Sequence, residues 1–244
     1  MAIHFPIEGK TVFITGADGG IGLCLLEECL RRGARLVYAS GRNTDRLKEI
    51  ENTFGHRVKA ITLDVTDYAT AQRYALACAD TDILINNAGV EAAVSFLNLQ
   101  GVGKAAFEMN VNYFGMHNVT HAFKDTLLAR PCAAIVNILS IASFTIIPKL
   151  ATYCASKAAG HVLTQACRAE LAETGVSVIG VYPGYVDTAM VQNLDVVKVT
   201  PESIAVEICA GVEQGATSIF PDPMSKALSQ SGHCKTPFID ESLQ

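Results

Sequence analysis

Residues Thr11 to Gly22 read T-V-F-I-T-G-A-D-G-G-I-G, and this stretch decides the fold. Thr11 to Thr15 is a short, mostly apolar and β-branched run, as in a strand buried on both faces. Gly16, Gly20 and Gly22 follow it, where the chain must turn sharply. A helical pattern then runs from Ile21 to Arg32 and stops at Gly33. A strand that passes through glycines into a helix N-terminus brings unpaired backbone N–H groups to one place, which favours a pyrophosphate. A glycine turn alone is often only a turn. Its position between strand and helix is what points to a dinucleotide.

Working outward, the pattern repeats. Arg35 to Ala39, Val58 to Leu63, Ile83 to Ile85, Ala134 to Ile138, Ser177 to Val181 and Thr217 to Phe220 read as further strands. Between them the sequence predicts helices over Asp45 to Phe54, Asp67 to Ala77, Gly103 to Leu128, Thr152 to Glu173 and Glu202 to Glu213. Thr44 and Thr66 are the expected N-caps of the first two of these. Alternating strands and helices mean βαβ units with right-handed crossovers, so the expected fold class is α/β with one doubly wound parallel sheet. Residues 1–244 are expected to form a single domain. Residues 221–244 carry Pro221, Pro223, Gly232 and Pro237 and read as a loop-like C-terminal tail.

Half of the 244 residues are hydrophobic, 18% are charged and the formal net charge is −5. With no basic run, nucleic acid is not an expected partner. The N-terminus M-A-I-H-F-P-I-E-G-K has no charged leader followed by an apolar stretch, so no signal peptide is expected. The longest apolar region, Ala133 to Pro148, is interrupted by Asn137, Ser140 and Ser143 and is too short to span a bilayer. None of the eight cysteines forms a C-x-x-C pair, and no His clusters nearby at metal spacing. The expectation is therefore a cytoplasmic protein with reduced, buried thiols and no metal site.

Three further motifs sit downstream: N-N-A-G at Asn86 to Gly89, T-Y-C-A-S-K-A-A with Tyr153 and Lys157 four residues apart, and P-G-Y-V-D-T at Pro183 to Thr188. Ser140 lies thirteen residues before Tyr153. A Tyr-x-x-x-Lys pair alone says little, since most are two exposed side chains on a helix. In this order, together with the glycine turn, the chain resembles the short-chain dehydrogenase/reductase family of the single-domain type. The resemblance covers roughly Lys10 to Thr188 and fades in the last fifty residues. It implies a seven-stranded sheet in the order 3-2-1-4-5-6-7 and a nicotinamide cofactor.

The turn residues Gly16, Asp18, Gly20, Ile21 and Gly22 fall to that cofactor. An NAD enzyme would place an acid at the end of the second strand, in Y-A-S-G-R-N. That position is Gly41. Arg42 follows, whose guanidinium can pair with a 2′-phosphate, and Ser40 can add a hydrogen bond. The preferred cofactor is therefore NADP(H). Asp18 inside the turn and Asp45 close to Arg42 weigh against it, and NAD(H) stays open. By resemblance, Asp64 and Val65 hold the adenine, Asn87, Ala88 and Gly89 flank a ribose while Asn86 braces the strand, and Pro183, Gly184, Val186 and Thr188 hold the nicotinamide carboxamide. Asp64 as a simple turn cap is the plainer alternative.

Reducing a ketone needs a hydride and a proton. A free tyrosine titrates near about 10, and an adjacent ammonium favours its phenolate. Tyr153 and Lys157, four apart, share one helix face. The resemblance makes Tyr153 the general acid/base. Lys157 becomes its pKa-lowering, ribose-binding neighbour, Ser140 the stabiliser of the substrate oxygen, and Asn112, in V-N-Y-F-G, the holder of a proton-relay water. Phe144, Ile146, Leu150, Tyr185 and Met190, with Ser140, are the expected substrate pocket. They form a largely apolar set with no cation placed for a carboxylate. The expected activity is an NADP(H)-dependent carbonyl reductase or alcohol dehydrogenase acting on a small neutral molecule. The alternatives are an NAD-dependent hydroxysteroid-type enzyme and a non-catalytic cofactor-binding sensor. The family's common C-terminal strand ending in Asp-Gly-Gly is missing, which bears against a tetramer; a homodimer is the minimum expectation, with a homotetramer as the other assembly considered.

Overall fold

The computed structural model describes residues 5–92, 97, 101–192, 195–232 and 234. Seven strands form one parallel sheet: β1 (Thr11–Thr15), β2 (Leu36–Gly41), β3 (Val58–Thr62), β4 (Ile83–Asn86), β5 (Ala133–Ile138), β6 (Val176–Val181) and β7 (Ser218–Ile219). Their order is β3-β2-β1-β4-β5-β6-β7, as expected. The register is continuous: Val12 pairs with Val37 on one side and with Ile83 on the other. The sheet therefore reverses direction of growth between β1 and β4, the switch point where doubly wound sheets open a crevice.

Period-two alternation sends β1 side chains to opposite faces. Val12 and Ile14 enter one core with Leu25 and Leu26 of α1 (Gly20–Arg31) and Ile204 and Ile208 of α7 (Pro201–Glu213). Phe13 enters the other core, its ring 4.6 Å from that of Phe123. The remaining helices are α2 (Thr44–Phe54), α3 (Tyr68–Ala77), α4 (Gly101–Met109), α5 (Met116–Leu128), α6 (Ala151–Glu170) and α8 (Pro223–Gln230).

Two local expectations are corrected. The N-caps are Asn43 and Asp67, whose side chains accept from Arg46 N and Thr70 N; Thr44 and Thr66 are not caps. An amide or carboxylate oxygen is the stronger acceptor, and Thr44 Oγ1 instead meets Thr62 Oγ1 at 3.3 Å. The helix expected over Gly103 to Leu128 contains a π turn at Asn110–Gly115, in line with the local disruption at Asn112 that the family resemblance implies. The tail is not all loop: Asp222 caps α8 with a reciprocal Asp222–Ser225 box, and Pro223 takes the first helical turn, where a missing N–H costs nothing. Residues 233 and 235–244 of the expected tail lie outside the described residues. Among the described residues, no helix is long and apolar enough to cross a membrane.

Candidate active site

The carboxyl ends of β1, β4, β5 and β6 border a cleft of about 420 Å³. Its floor is the glycine turn. Gly16 and Gly20 hold φ of 64° and 52°, where a side chain is strained. A Cβ on Gly22 would lie 2.1 Å from the Gly16 carbonyl oxygen. The turn is latched to β4: Asn87 Nδ2 donates to the Thr15 and Gly16 carbonyls at 3.0 Å, and Asn87 N and Ala88 N donate to Thr15 Oγ1 at 3.0 Å. The first turn of α1 has no side-chain cap, so its N–H groups are left for a ligand.

At the adenosine end, Gly41, Arg42, Asp64 and Val65 line the cleft. Arg42 is exposed, and among the described residues no carboxylate pairs with it, Asp18 and Asp45 included. Asp18 turns to Gly41 instead: its carboxylate atoms lie 2.6–2.7 Å from where a Gly41 Cβ would stand, and it accepts from Asn43 N at 3.0 Å. Asp64 caps its own turn, accepting from Thr66 N and Oγ1 at 2.9 and 2.7 Å. Ser40 is corrected. It is 1% exposed inside the sheet, does not reach the cleft, and its hydroxyl has no partner.

Pro183, Gly184, Val186 and Thr188, the residues expected at the nicotinamide, all line the cleft. Thr188 Cγ2 would sit 3.4 Å from a Gly20 Cβ, so the loop closes over the glycine turn. Gly184 N donates to Asp222 Oδ2 at 2.8 Å, which ties this loop to the cap of α8. The sequence reading missed Asp222; the signal was D-P-M-S, an acid three residues before Ser225.

The four expected catalytic side chains come together. Ser140 ends the run after β5, Tyr153 and Lys157 share the first turns of α6, and Asn112 lies in the π turn. Lys157 Nζ donates to the Ile138 carbonyl at 3.0 Å and stands 5.6 Å from the Tyr153 ring centre. A Cβ on Gly89 would lie 3.3 Å from Asn112 Oδ1 and 3.5 Å from Lys157 Nζ, so both converge on the N-N-A-G loop. Asn112 clamps that loop: Oδ1 accepts from Val90 N at 2.8 Å, and Nδ2 donates to Val90 O and to Ser156 Oγ at 2.9 Å.

Burial pulls the Lys157 ammonium down to about 8. Tyr153 behaves differently from the expectation: its phenol is raised, not lowered. Burial is the main cause; the neighbouring Ser140 hydroxyl opposes it, and the carboxylates of Glu91 and Glu108 add to it. The lysine's ammonium is engaged by Ile138 and does not overcome these.

Beyond Tyr153 the cleft is lined by Ser140, Leu150, Tyr185 and Met190, with Ile147 added. Two expected pocket residues are corrected. Phe144 packs away from the cleft, its ring 4.8 Å from both His161 and Tyr182, and Ile146 is 82% exposed to solvent. The 3-10 turn at Ile141–Ser143 rotates the chain, so the wall residue is Ile147. Among the described residues, no three His, Cys, Asp or Glu gather to hold a metal.

A doubly wound sheet with a glycine cradle at its switch point and a Ser-Tyr-Lys cluster beyond it defines a nicotinamide-dependent oxidoreductase. The family profile of short chain dehydrogenase matches residues 10–197, and the chain belongs to that family. An uncharacterized oxidoreductase of Staphylococcus epidermidis is 33% identical over 193 residues, covering 78% of this chain and 83% of that protein. A short chain dehydrogenase from Burkholderia cenocepacia in complex with NADP superposes with a TM-score of 0.88 at 37% identity, covering 95% of each chain. A short chain dehydrogenase/reductase from Burkholderia phymatum in complex with NAD superposes with a TM-score of 0.84 at 23% identity, over 93% of each chain, and shares the fold.

Proposed function

We propose that this oxidoreductase transfers a hydride between NADP(H) and a neutral, largely apolar ketone, aldehyde or secondary alcohol. One observation carries this reading: Ser140, Tyr153, Lys157 and Asn112 converge at one end of a cleft whose other end holds the glycine cradle and an unpaired Arg42. The cradle fits a dinucleotide, because a Cβ at Gly22 would close it and the helix above it has no cap of its own. When bound, the nicotinamide supplies or takes up the hydride.

The chain's residues handle the proton. In reduction, Tyr153 gives its phenolic proton to the developing alkoxide, and the Ser140 hydroxyl donates a hydrogen bond to the same oxygen. Burial keeps the phenol in its acid form at neutral pH, the form that reduction requires. The Lys157 ammonium, fixed on the Ile138 carbonyl, sets a positive charge beside the phenolate left behind and reaches the ribose. Both ends of the Asn112 side chain are engaged by Val90 and Ser156, so its part is to hold the loop beside Lys157, and the relay water that the resemblance assigns to it must find its acceptor elsewhere than on that side chain. Arg42 pairs with the 2′-phosphate. The NADP complex of the 37% identical relative supports that choice.

A second reading, NAD(H), rests on Asp18, which brings a carboxylate to the end of β2 from the glycine turn. Turnover of one ketone with NADPH and with NADH separates the two. Tyr153→Phe tests the chemistry: the ring stays, the acid goes, and turnover should fall about a hundredfold or more in a folded protein. Near-normal turnover would refute the assignment. A homodimer through the outer faces of α5 and α6 completes the proposal. Phe114, at 50% exposure in the π turn before α5, and Val162, at 55% on α6, support it.

A further inference from the structure

Glu91 takes no part in the chemistry above, yet it lines the catalytic cleft. It follows the N-N-A-G loop in N-N-A-G-V-E, on the chain that Asn112 clamps at Val90. The side chain is partly buried, and among the described residues no donor reaches its carboxylate. The nearby Glu108, 0% exposed, is engaged at one oxygen only: its Oε1 accepts from Ala92 N at 2.8 Å, and among the described residues its Oε2 has no partner. Lys104 is engaged as well, with Nζ on the Ala92 carbonyl at 3.3 Å. Burial and the Glu108 charge both push the Glu91 carboxyl up, and Glu91 in turn raises the Tyr153 phenol. Gly89 lies beside Lys157 Nζ and Val90 is held by Asn112, so Glu91, next along the chain and on the cleft, belongs to the half that holds Tyr153 and Lys157, not to the adenosine half.

A partly desolvated carboxyl that meets no donor among the described residues is costly to keep unless a further group satisfies it. We propose that Glu91 is a specificity-determining residue whose carboxyl accepts a hydrogen bond from a hydroxyl near the reacting carbon, so that the favoured substrates are neutral hydroxy-ketones and the matching diols. In either protonation state the carboxyl keeps an acceptor oxygen. A cationic donor fits less well, since the Lys157 ammonium occupies the same cleft. The wall of Ile147, Leu150, Tyr185 and Met190 takes the apolar remainder. This inference rests on the carbonyl-reductase reading and deepens it.

The experiment compares kcat/KM for cyclohexanone and 2-hydroxycyclohexanone, and for two further ketone pairs on other skeletons, with the wild type, Glu91→Ala and Glu91→Gln. The wild type should favour the hydroxylated member by about tenfold or more. Glu91→Ala should bring that ratio close to one, and Glu91→Gln, which keeps an acceptor oxygen, should retain part of it. A ratio that is the same in wild type and Glu91→Ala overturns the inference while leaving the carbonyl-reductase reading intact. A fall of equal size for both members also overturns it, because a structural role would act so. No turnover of any pair by the wild type, with either cofactor, overturns the carbonyl-reductase reading itself.

Discussion

Replacing Lys157 by Met should stabilise the cofactor-free protein at neutral pH even as it abolishes turnover. The lysine is 6% exposed, and burial alone lowers its ammonium from 10.5 to about 8. Each pKa unit is about 1.4 kcal/mol, so holding the charge in the folded state costs roughly 3 kcal/mol. Met has a similar length and no charge. Its arrival leaves the Ile138 carbonyl without its ammonium donor, a loss of about 1.5 kcal/mol. The net gain is about 1.5 kcal/mol, or about 3–6 °C in Tm for a chain of this length. The pH dependence carries the sign. The folded value lies below the unfolded one, so the cost is complete below about 8 and is relieved as pH rises from there to 10.5. The advantage of Lys157→Met should therefore shrink across that window. Urea denaturation at 25 °C, from pH 7 to 10.5, reads it directly. A variant less stable than wild type at pH 7, or a stability gap that stays constant from 8 to 10.5, would show that the burial cost has been misassigned.

Three further outcomes follow from the same site. Arg42→Ala should weaken NADPH binding by about tenfold or more and NADH binding little, since a charged contact to phosphate contributes roughly 1.5–3 kcal/mol; equal losses would remove Arg42 from the phosphate. In reduction, kcat/KM should decline as pH rises through about 8, where Lys157 loses its ammonium, and a profile flat to pH 10 would contradict this. Between two ketones of equal bulk, the neutral one should exceed the carboxylated one by at least about tenfold, because beside Tyr153 the cleft offers Glu91 and uncharged side chains to an anion, while the Lys157 ammonium there is held by the Ile138 carbonyl. Preference for the carboxylate would place a basic residue in the pocket, Lys149 or Lys198 being the first to test.

The sheet was legible because buried parallel strands are written in β-branched and apolar runs, and glycines mark the ends of the helices between them. Helix starts were less so. Thr44 stood where a cap was expected, but its neighbour Asn43 has the better acceptor and took the position. In the tail, Pro223 and Gly232 read as breakers. Pro223 is compatible with a helix's first turn, and Asp222 with Ser225 supplied the cap, so α8 forms. The π turn has no letter of its own. The resemblance of V-N-Y-F-G places a local helix disruption at Asn112, but the partners, Val90 and Ser156, come only from the fold.

Within the site, motif letters proved to do two kinds of work that a sequence cannot separate. Tyr153 and Lys157 point into the cleft. Asn87, expected beside a ribose, spends its side-chain amide on the Thr15 and Gly16 carbonyls, and Asn112 spends both ends of its side chain on a loop and a helix. Half of the recognisable pattern thus exists to fix loops, which is what a hydride transfer needs, since donor and acceptor must be held within narrow limits. The residues that choose a substrate obey no such requirement. Phe144 and Ile146 follow Ser140 and are apolar, yet past one turn of 3-10 helix the first packs into the aromatic cluster and the second faces solvent. Glu91, two residues past a motif, faces the cleft. Chemistry is therefore readable from letters in this fold, whereas specificity is decided by the path of the loops between them.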